Sequence, residues 1–487
     1  MKPNHHSLKL NFIMNALLSM SSIVFPLITF PYVSRILLPV GTGKVSFATS
    51  IISYFVIFSQ LGVPVYGIRA CAALRDDREK LTRTAHELLI IRLVMSAVSY
   101  AALFAALVFV PRLQEERTLY LIVSLKILFS AVGMEWLYKS LEQYAYITTR
   151  SIIFKVIAVI AMFLLIHEQS DYVIYGGISI LAASASNIFN FIHARKYIQM
   201  RPVGGYHFKR HFKAVWVFFA MSCATTIYTH LDTVMLGFMQ TDADVGFYNT
   251  AIKIKTVLVS VATSLGQVLL PRSSYYINHG QIDEFWRISK KSLNFVFLLA
   301  APLMLFFTLF AKQGIFFLSG TAYINSILPM QIIMPTLLFI GITNILGIQI
   351  LVPLGKEKIV LYSEIIGAIT DLILNIILIP SMASVGAAIG TLAAEFVVLI
   401  IQWFALRHDV ADVFQSIRYV RIIAALLLAV CASIWVPAVV EDNFLTLFTS
   451  ACLFFGAYGG GLLLLKEPLT LEITGQLYHK AKKILRQ

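Results

Sequence analysis

The run NFIMNALLSMSSIVFPLITFPYVSRILLPVGTGKVSFATSIISYFVIFSQLGVPVY (11–66) holds two apolar windows, 11–36 and 43–66, parted by a few residues. Each is long enough for an α-helix to cross roughly 30 Å of hydrocarbon, which takes about 20 residues. Outward from this pair the pattern recurs at 86–110, 118–138, 151–167, 172–192, 214–239, 248–270, 293–311, 328–353, 359–379, 385–406, 421–439 and 445–465, fourteen windows in all. Of the 487 residues 58% are hydrophobic and only 13% charged, with a mean hydropathy of +0.79. An ordinary globular domain carries about 25% charged residues, and its exterior could not stay this apolar in water. The composition excludes ordinary soluble enzymes and nucleic-acid binders and predicts an all-α polytopic membrane protein of about 14 transmembrane helices. The first window is too long for a signal-peptide core and no A-x-A-like site follows it, so it reads as a retained helix.

The net charge of +14 is a matter of topology. Of the 39 Lys and Arg residues, 29 fall in the segments 1–10, 67–85, 139–150, 193–213, 271–292, 354–358, 407–421 and 466–487. The alternate loops hold three, Arg112, Arg117 and Lys312, and the windows hold the other seven. Basic loops stay inside, so both termini are expected in the cytoplasm of a multi-pass cell-membrane protein. The outer loops are short, the longest about 312–327, and leave no room for a catalytic domain; the expectation is a protein that is not an enzyme. In the tail, Ile473, Leu477, Ala481 and Ile484 form an apolar stripe beside Lys480, Lys482, Lys483 and Arg486. Such a helix would lie on the anionic inner leaflet.

The four cysteines show no C-x-x-C spacing and read as isolated buried thiols. His207 and His211, in a basic loop without an acidic neighbour, read as solvated, and no metal site is expected. A shift of 200 residues lays Val45-Ser46-Phe47-Ala48-Thr49-Ser50 over Val245-Gly246-Phe247-Tyr248-Asn249-Thr250. Six windows separate the copies, so they enter the membrane in the same sense. This predicts two parallel-repeat six-helix lobes, 1–212 and 213–406, with two further helices and the tail in 407–487. Pro26 and Pro31 should bend the first helix. The run Gly386-Ala387-Ala388-Ile389-Gly390-Thr391 should permit close helix packing.

The segments PYVSRILLPVGTGKVSFATSIISYFVIFSQLGVPVYGIR (31–69), GMEWLYKSLEQYAYITTRSI (133–152) and LDTVMLGFMQTDADVGFYNTAIKI (231–254) carry a specific likeness. So does 354–395, with LGKEK, LILNIILIP and VGAAIGTLAAE. Together they resemble the Wzx-type polysaccharide repeat-unit flippases of the multidrug/oligosaccharidyl-lipid/polysaccharide exporter superfamily, over nearly the whole chain. Arg35, in its S-R-I-L context, also looks like the functional arginine of the lipid II flippase branch, and Lys253 falls near that branch's basic position on the eighth span. The resemblance implies two lobes around a cavity that opens alternately to each side. Its substrate would be an undecaprenyl-diphosphate-linked oligosaccharide, moved to the outer leaflet. Membrane lipids, a polysaccharide polymerase and glycosyltransferases would be the partners, with no nucleic acid and no cofactor.

Charge within a span is costly, about 2.5–3.5 kcal/mol at mid-bilayer on insertion scales, and so points to function. Arg35 and Lys253 are the first candidates for the diphosphate, followed by Lys126, Lys255 and Lys44. Arg92 and Lys155 lie near the inner surface and are expected to snorkel. Among the acids, Glu364, Asp371, Glu395 and Asp232 either couple transport to protons or sodium or pair with buried cations. Glu364 and Asp371 are seven residues apart and share a helix face. Trp136, Tyr138, Tyr144 and Tyr146 read as an interfacial aromatic belt. A multidrug exporter of the same superfamily is a rival reading, but the first two spans contain no acid and carry Arg35 and Lys44 instead, which suits an anionic substrate. A glycolipid polymerase would need a large outer loop. A lipid II flippase is chemically the nearest alternative.

Overall fold

A computed structural model describes residues 8–415, 417–472 and 474–476. The tail stripe through Ile473, Leu477, Ala481 and Ile484 lies outside the described residues. The structure is 88% helical with no strands among the described residues, as hydrocarbon requires, because a helix satisfies its own backbone hydrogen bonds. The chain divides into two compact units, Met1–Gly246 and Phe247–Gln487.

The first unit holds α1 (Leu8–Gln60), α2 (Val63–Ala72), α3 (Arg78–Phe109), α4 (Pro111–Gln114), α5 (Arg117–Val132), α6 (Glu135–Ser140), α7 (Tyr144–Leu165), α8 (Tyr172–Ile180), α9 (Asn187–Ala194) and α10 (Lys209–Met239). Helix α1 packs against α3, α5, α7 and α10. It contains both opening windows, as two helical stretches joined across a kink at Leu38 (φ 57°, ψ 179°). The break is therefore not at Pro26 or Pro31, which stay within helical residues. It falls at the residue before Pro39, where the proline ring clashes with a helical predecessor. Asp77 starts α3, its carboxylate accepting the Lys80 N–H at 3.0 Å. That bond, reinforced by the Lys80 ammonium, holds the Asp77 carboxyl below its ordinary pKa.

Two of the four residues expected in an aromatic belt are instead core, while Tyr144 and Tyr146 are partly exposed. Trp136 and Tyr138 are fully buried. The Tyr138 hydroxyl donates to the Asn190 carbonyl at 2.7 Å, and its ring stacks on Tyr146 and His193. Backbone carbonyls within the bundle supply the partner that a headgroup would have supplied at the interface.

The second unit holds most of α11 (Asp242–Asn278), then α12 (Ile282–Leu309), α13 (Ala311–Ser319), α14 (Ile327–Ile333), α15 (Thr336–Thr343), α16 (Glu357–Gln415), α17 (Tyr419–Ser433), α18 (Val436–Val439) and α19 (Asn443–Leu464). One core cluster joins Phe306 of α12 and Phe310 at its C-terminal cap to Ala425 and Ala429 of α17 and Phe454 and Tyr458 of α19. Helix α16 breaks at Ala383 (φ 48°), and its arms pack on each other. The buried stripe Ser363, Gly367, Asp371, Asn375 and Ile379 steps by one turn along the first arm. Gly367 meets Val398, Gln402 donates to Ser363 at 3.1 Å, and a Cβ on Gly390 would stand 2.5 Å from Asn375 Oδ1. Gly390 thus sits in close helix packing, as the sequence suggested.

Among the described residues ten helices are long and apolar enough to cross a membrane, or eleven if Thr321–Ile333 and Thr336–Leu351, bent by 41°, form one span. Two pairs of sequence windows run through the kinked helices α1 and α16, one window on each side of the break, and window 248–270 lies in α11, which is not among the ten. All four cysteines are free thiols, but only Cys71 is fully buried; Cys431 and Cys452 are exposed. Their neighbours Leu427, Leu428 and Phe448 are exposed too, a surface suited to lipid tails as apolar as the side chains themselves.

Candidate functional site

In the first unit the apolar windows carry a polar cluster built by three helices. Lys126 of α5 donates to Ser53 Oγ of α1 at 3.2 Å. One turn earlier on α1, Ser50 Oγ meets Nδ1 of His230, from α10, at 3.1 Å. The Tyr54 ring stands edge-on to His230, centroids 6.4 Å apart, and Asp232 is buried two residues further along α10. Ser50 and Ser53 share a face of α1 because three residues span about one turn, so α1 presents two hydroxyls to two groups able to carry positive charge.

The other candidates of this unit lie elsewhere. Arg35 is exposed on α1, and its Nη1 donates to the Pro31 carbonyl at 3.0 Å. Lys44 joins a network beyond the α1 break. Its ammonium is 2.5 Å from Glu116 Oε1 and 4.7 Å from the Tyr172 ring centroid, while the Tyr172 hydroxyl donates to Glu116 Oε2 at 2.8 Å. Arg112 continues that network, reaching Asp242 and Glu115 at 2.5 Å each and the Gly237 carbonyl at 3.0 Å.

In the second unit, Lys253 and Lys255 on α11 are both partly exposed. Glu364 is exposed while Asp371 and Asn375 are buried, so the face that Glu364 and Asp371 share is open at Glu364 and covered two turns on. Glu395, on the second arm of α16, is buried. The Tyr248 hydroxyl and Thr391 Oγ1, 2.9 Å apart, tie α11 to the same arm.

Two expectations about bystander charges are corrected. Arg92 does not snorkel: it is buried, and Nη2 donates to the Ser130 carbonyl. Lys155 is held by the hydroxyls of Ser21 and Ser22 at 2.7 and 2.9 Å. In both cases the hydrogen-bonding oxygens sit on a neighbouring helix. His211, read as solvated, is also buried. Its Nε2 lies 2.6 Å from Glu87 Oε2, and its Nδ1 lies 2.8 Å from the Tyr66 hydroxyl. Glu87 further accepts from Arg210 Nη2 and from the His207 N–H, each at 2.6 Å. The acidic partner that seemed missing comes from α3, more than a hundred residues away in sequence, and spacing could not show it. No group of three or more His, Cys, Asp or Glu able to hold a metal ion occurs among the described residues.

Comparison with known proteins bears on the family and the fold. The family described as "Polysaccharide biosynthesis protein" matches residues 8–277, and the MatE family matches 218–377. A protein named for O-antigen transport in Escherichia coli (strain K12) is 24% identical over 412 residues, covering 84% of this chain and 99% of that one. The fold is similar to the lipid II flippase MurJ in an inward closed conformation, with a TM-score of 0.74 at 16% identity, over 94% of this chain and 99% of that chain. It is also similar to an inward-facing multidrug resistance MATE family transporter, with a TM-score of 0.61 at 11% identity, over 83% and 99% of the two chains. The chain belongs to the polysaccharide biosynthesis protein family, a multi-pass membrane protein within the exporter superfamily that its sequence resembles.

Proposed function

We propose that this protein flips an undecaprenyl-diphosphate-linked oligosaccharide repeat unit from the inner to the outer leaflet of the cytoplasmic membrane by alternating access, for cell-surface polysaccharide biosynthesis. The observation that carries this reading is the placing of cations within apolar helices, above all Lys126 in its three-helix cluster, in a chain of this family. A diphosphate headgroup cannot cross hydrocarbon unaided, and fixed positive charge in a partly solvated site offsets its desolvation. Arg35 and Lys253 are the proposed first contacts. The proposed orientation has both termini in the cytoplasm, a reading supported by the basic segments. Glu364, Asp371, Glu395 and Asp232 are the proposed carriers of a coupling proton or sodium ion. A polymerase and glycosyltransferases would act on either side of the transport step.

The test is neutral replacement in cells, reading unflipped lipid-linked repeat unit on the inner leaflet with protein abundance checked in parallel. Arg35→Ala and Lys253→Ala should each cost about 1.5–3 kcal/mol of headgroup binding, or about ten- to a hundredfold in affinity. Arg35→Lys should retain part of the activity, because it keeps the charge and loses the guanidinium fork. Arg287→Gln, which removes only an exposed pair with Glu284, should be nearly silent. Normal export by the Arg35→Ala, Lys253→Ala double variant would contradict the cationic site.

A further inference from the structure

The cluster around His230 goes beyond the cations just named. A doubly substituted diphosphate carries one negative charge on each phosphorus. The Lys126 ammonium offsets one of them and leaves the other. We propose that His230 completes this subsite by taking up one proton as the diphosphate arrives, so that substrate binding and proton uptake are linked; this rests on the function proposed above.

The geometry supplies the parts. Ser50 engages Nδ1 of His230, and among the described residues no hydrogen bond occupies Nε2. Ser53, one turn on, holds the Lys126 amine at the same stretch of α1. A second positive charge beside Lys126 in apolar surroundings is unfavourable on its own, and an anion set between the two groups removes that cost. The proton comes from water at the open site and bonds to the imidazole as the diphosphate docks, and it returns to water when the diphosphate leaves. The other titratable groups at the cluster are Tyr54, edge-on to His230, and Asp232, about 200° round α10 from it and acting on Tyr54. The sign follows: protonated His230 favours the anion, so affinity rises as pH falls.

The experiment uses the full chain in lipid nanodiscs and undecaprenyl-diphospho-N-acetylglucosamine as the probe, whose diphosphate does not titrate near neutrality. Calorimetry in two buffers of different ionisation enthalpy reads affinity and proton uptake together. The wild type should bind about tenfold more tightly at pH 6 than at pH 8 and take up a proton on binding. His230→Gln should match the wild type at pH 8, gain little on acidification and take up no proton. Lys126→Gln should bind more weakly at both pH values and still take up the proton. A lowered melting temperature in His230→Gln would pass its role to His230→Asn. Undiminished proton uptake in the His230 variants overturns the inference and leaves the proposed function standing. No binding of the probe by the wild type overturns both.

Discussion

Replacing Glu87 with Ala should lower the thermal unfolding midpoint of the purified protein more than any other single truncation in the 193–213 loop or its supports. Glu87 is fully enclosed and accepts from Arg210, His211 and the His207 backbone at once. It therefore ties the start of α10 to α3. Removing it leaves a buried imidazole and a backbone N–H without their acceptor. Breaking a buried ionic network costs about 3–5 kcal/mol, and the half-exposed Arg210 side chain places this case near the lower end. Glu87→Gln should lie between, keeping an acceptor oxygen but losing the charge. A wild-type melting curve for Glu87→Ala would show that the network contributes nothing to stability.

Gly43→Val should be about as disruptive, at the contact of α1 with the 242–246 segment. A Cβ on Gly43 would overlap the Asp242 carbonyl, and one on Gly246 would overlap the Pro39 carbonyl. Both neighbours are backbone, so no side chain can swing aside. Two backbones touch here, and the Arg112–Asp242 pair closes over the same junction. Overpacking a tight core costs about 1–3 kcal/mol and occasionally more; with backbone on both sides the upper end applies. Melting temperature and hydrogen exchange of the 242–246 amides would register it, and unchanged values in both would contradict the packing.

Much of the architecture was legible because hydrocarbon is an undemanding reader: length and hydropathy alone pointed to an all-α membrane protein, while the expected count of about 14 spans stands against ten or eleven candidates among the described residues. What stayed hidden depends on contacts between distant segments. Leu38 breaks α1 because of its neighbour Pro39, a local signal that attention to the deeper prolines obscured. His211 looked solvated until α3 brought Glu87 to it. Trp136 and Tyr138 looked interfacial because composition cannot tell a belt from a core. His230 drew no notice in the sequence, for a lone histidine in a span has no spacing to betray it. Only the meeting of α1, α5 and α10 makes it part of a site.

The most direct test of the central claim is transfer of substrate by the purified chain in lipid vesicles. A labelled undecaprenyl-diphosphate-linked oligosaccharide is placed in one leaflet, and its exposure to an impermeant lectin on the other side is followed over time. The account predicts transfer well above protein-free vesicles, lost in the Arg35→Ala, Lys253→Ala double variant, and slower for lipid II than for the repeat-unit lipid. Transfer no faster than in protein-free vesicles, or acceleration confined to lipid II, would contradict it.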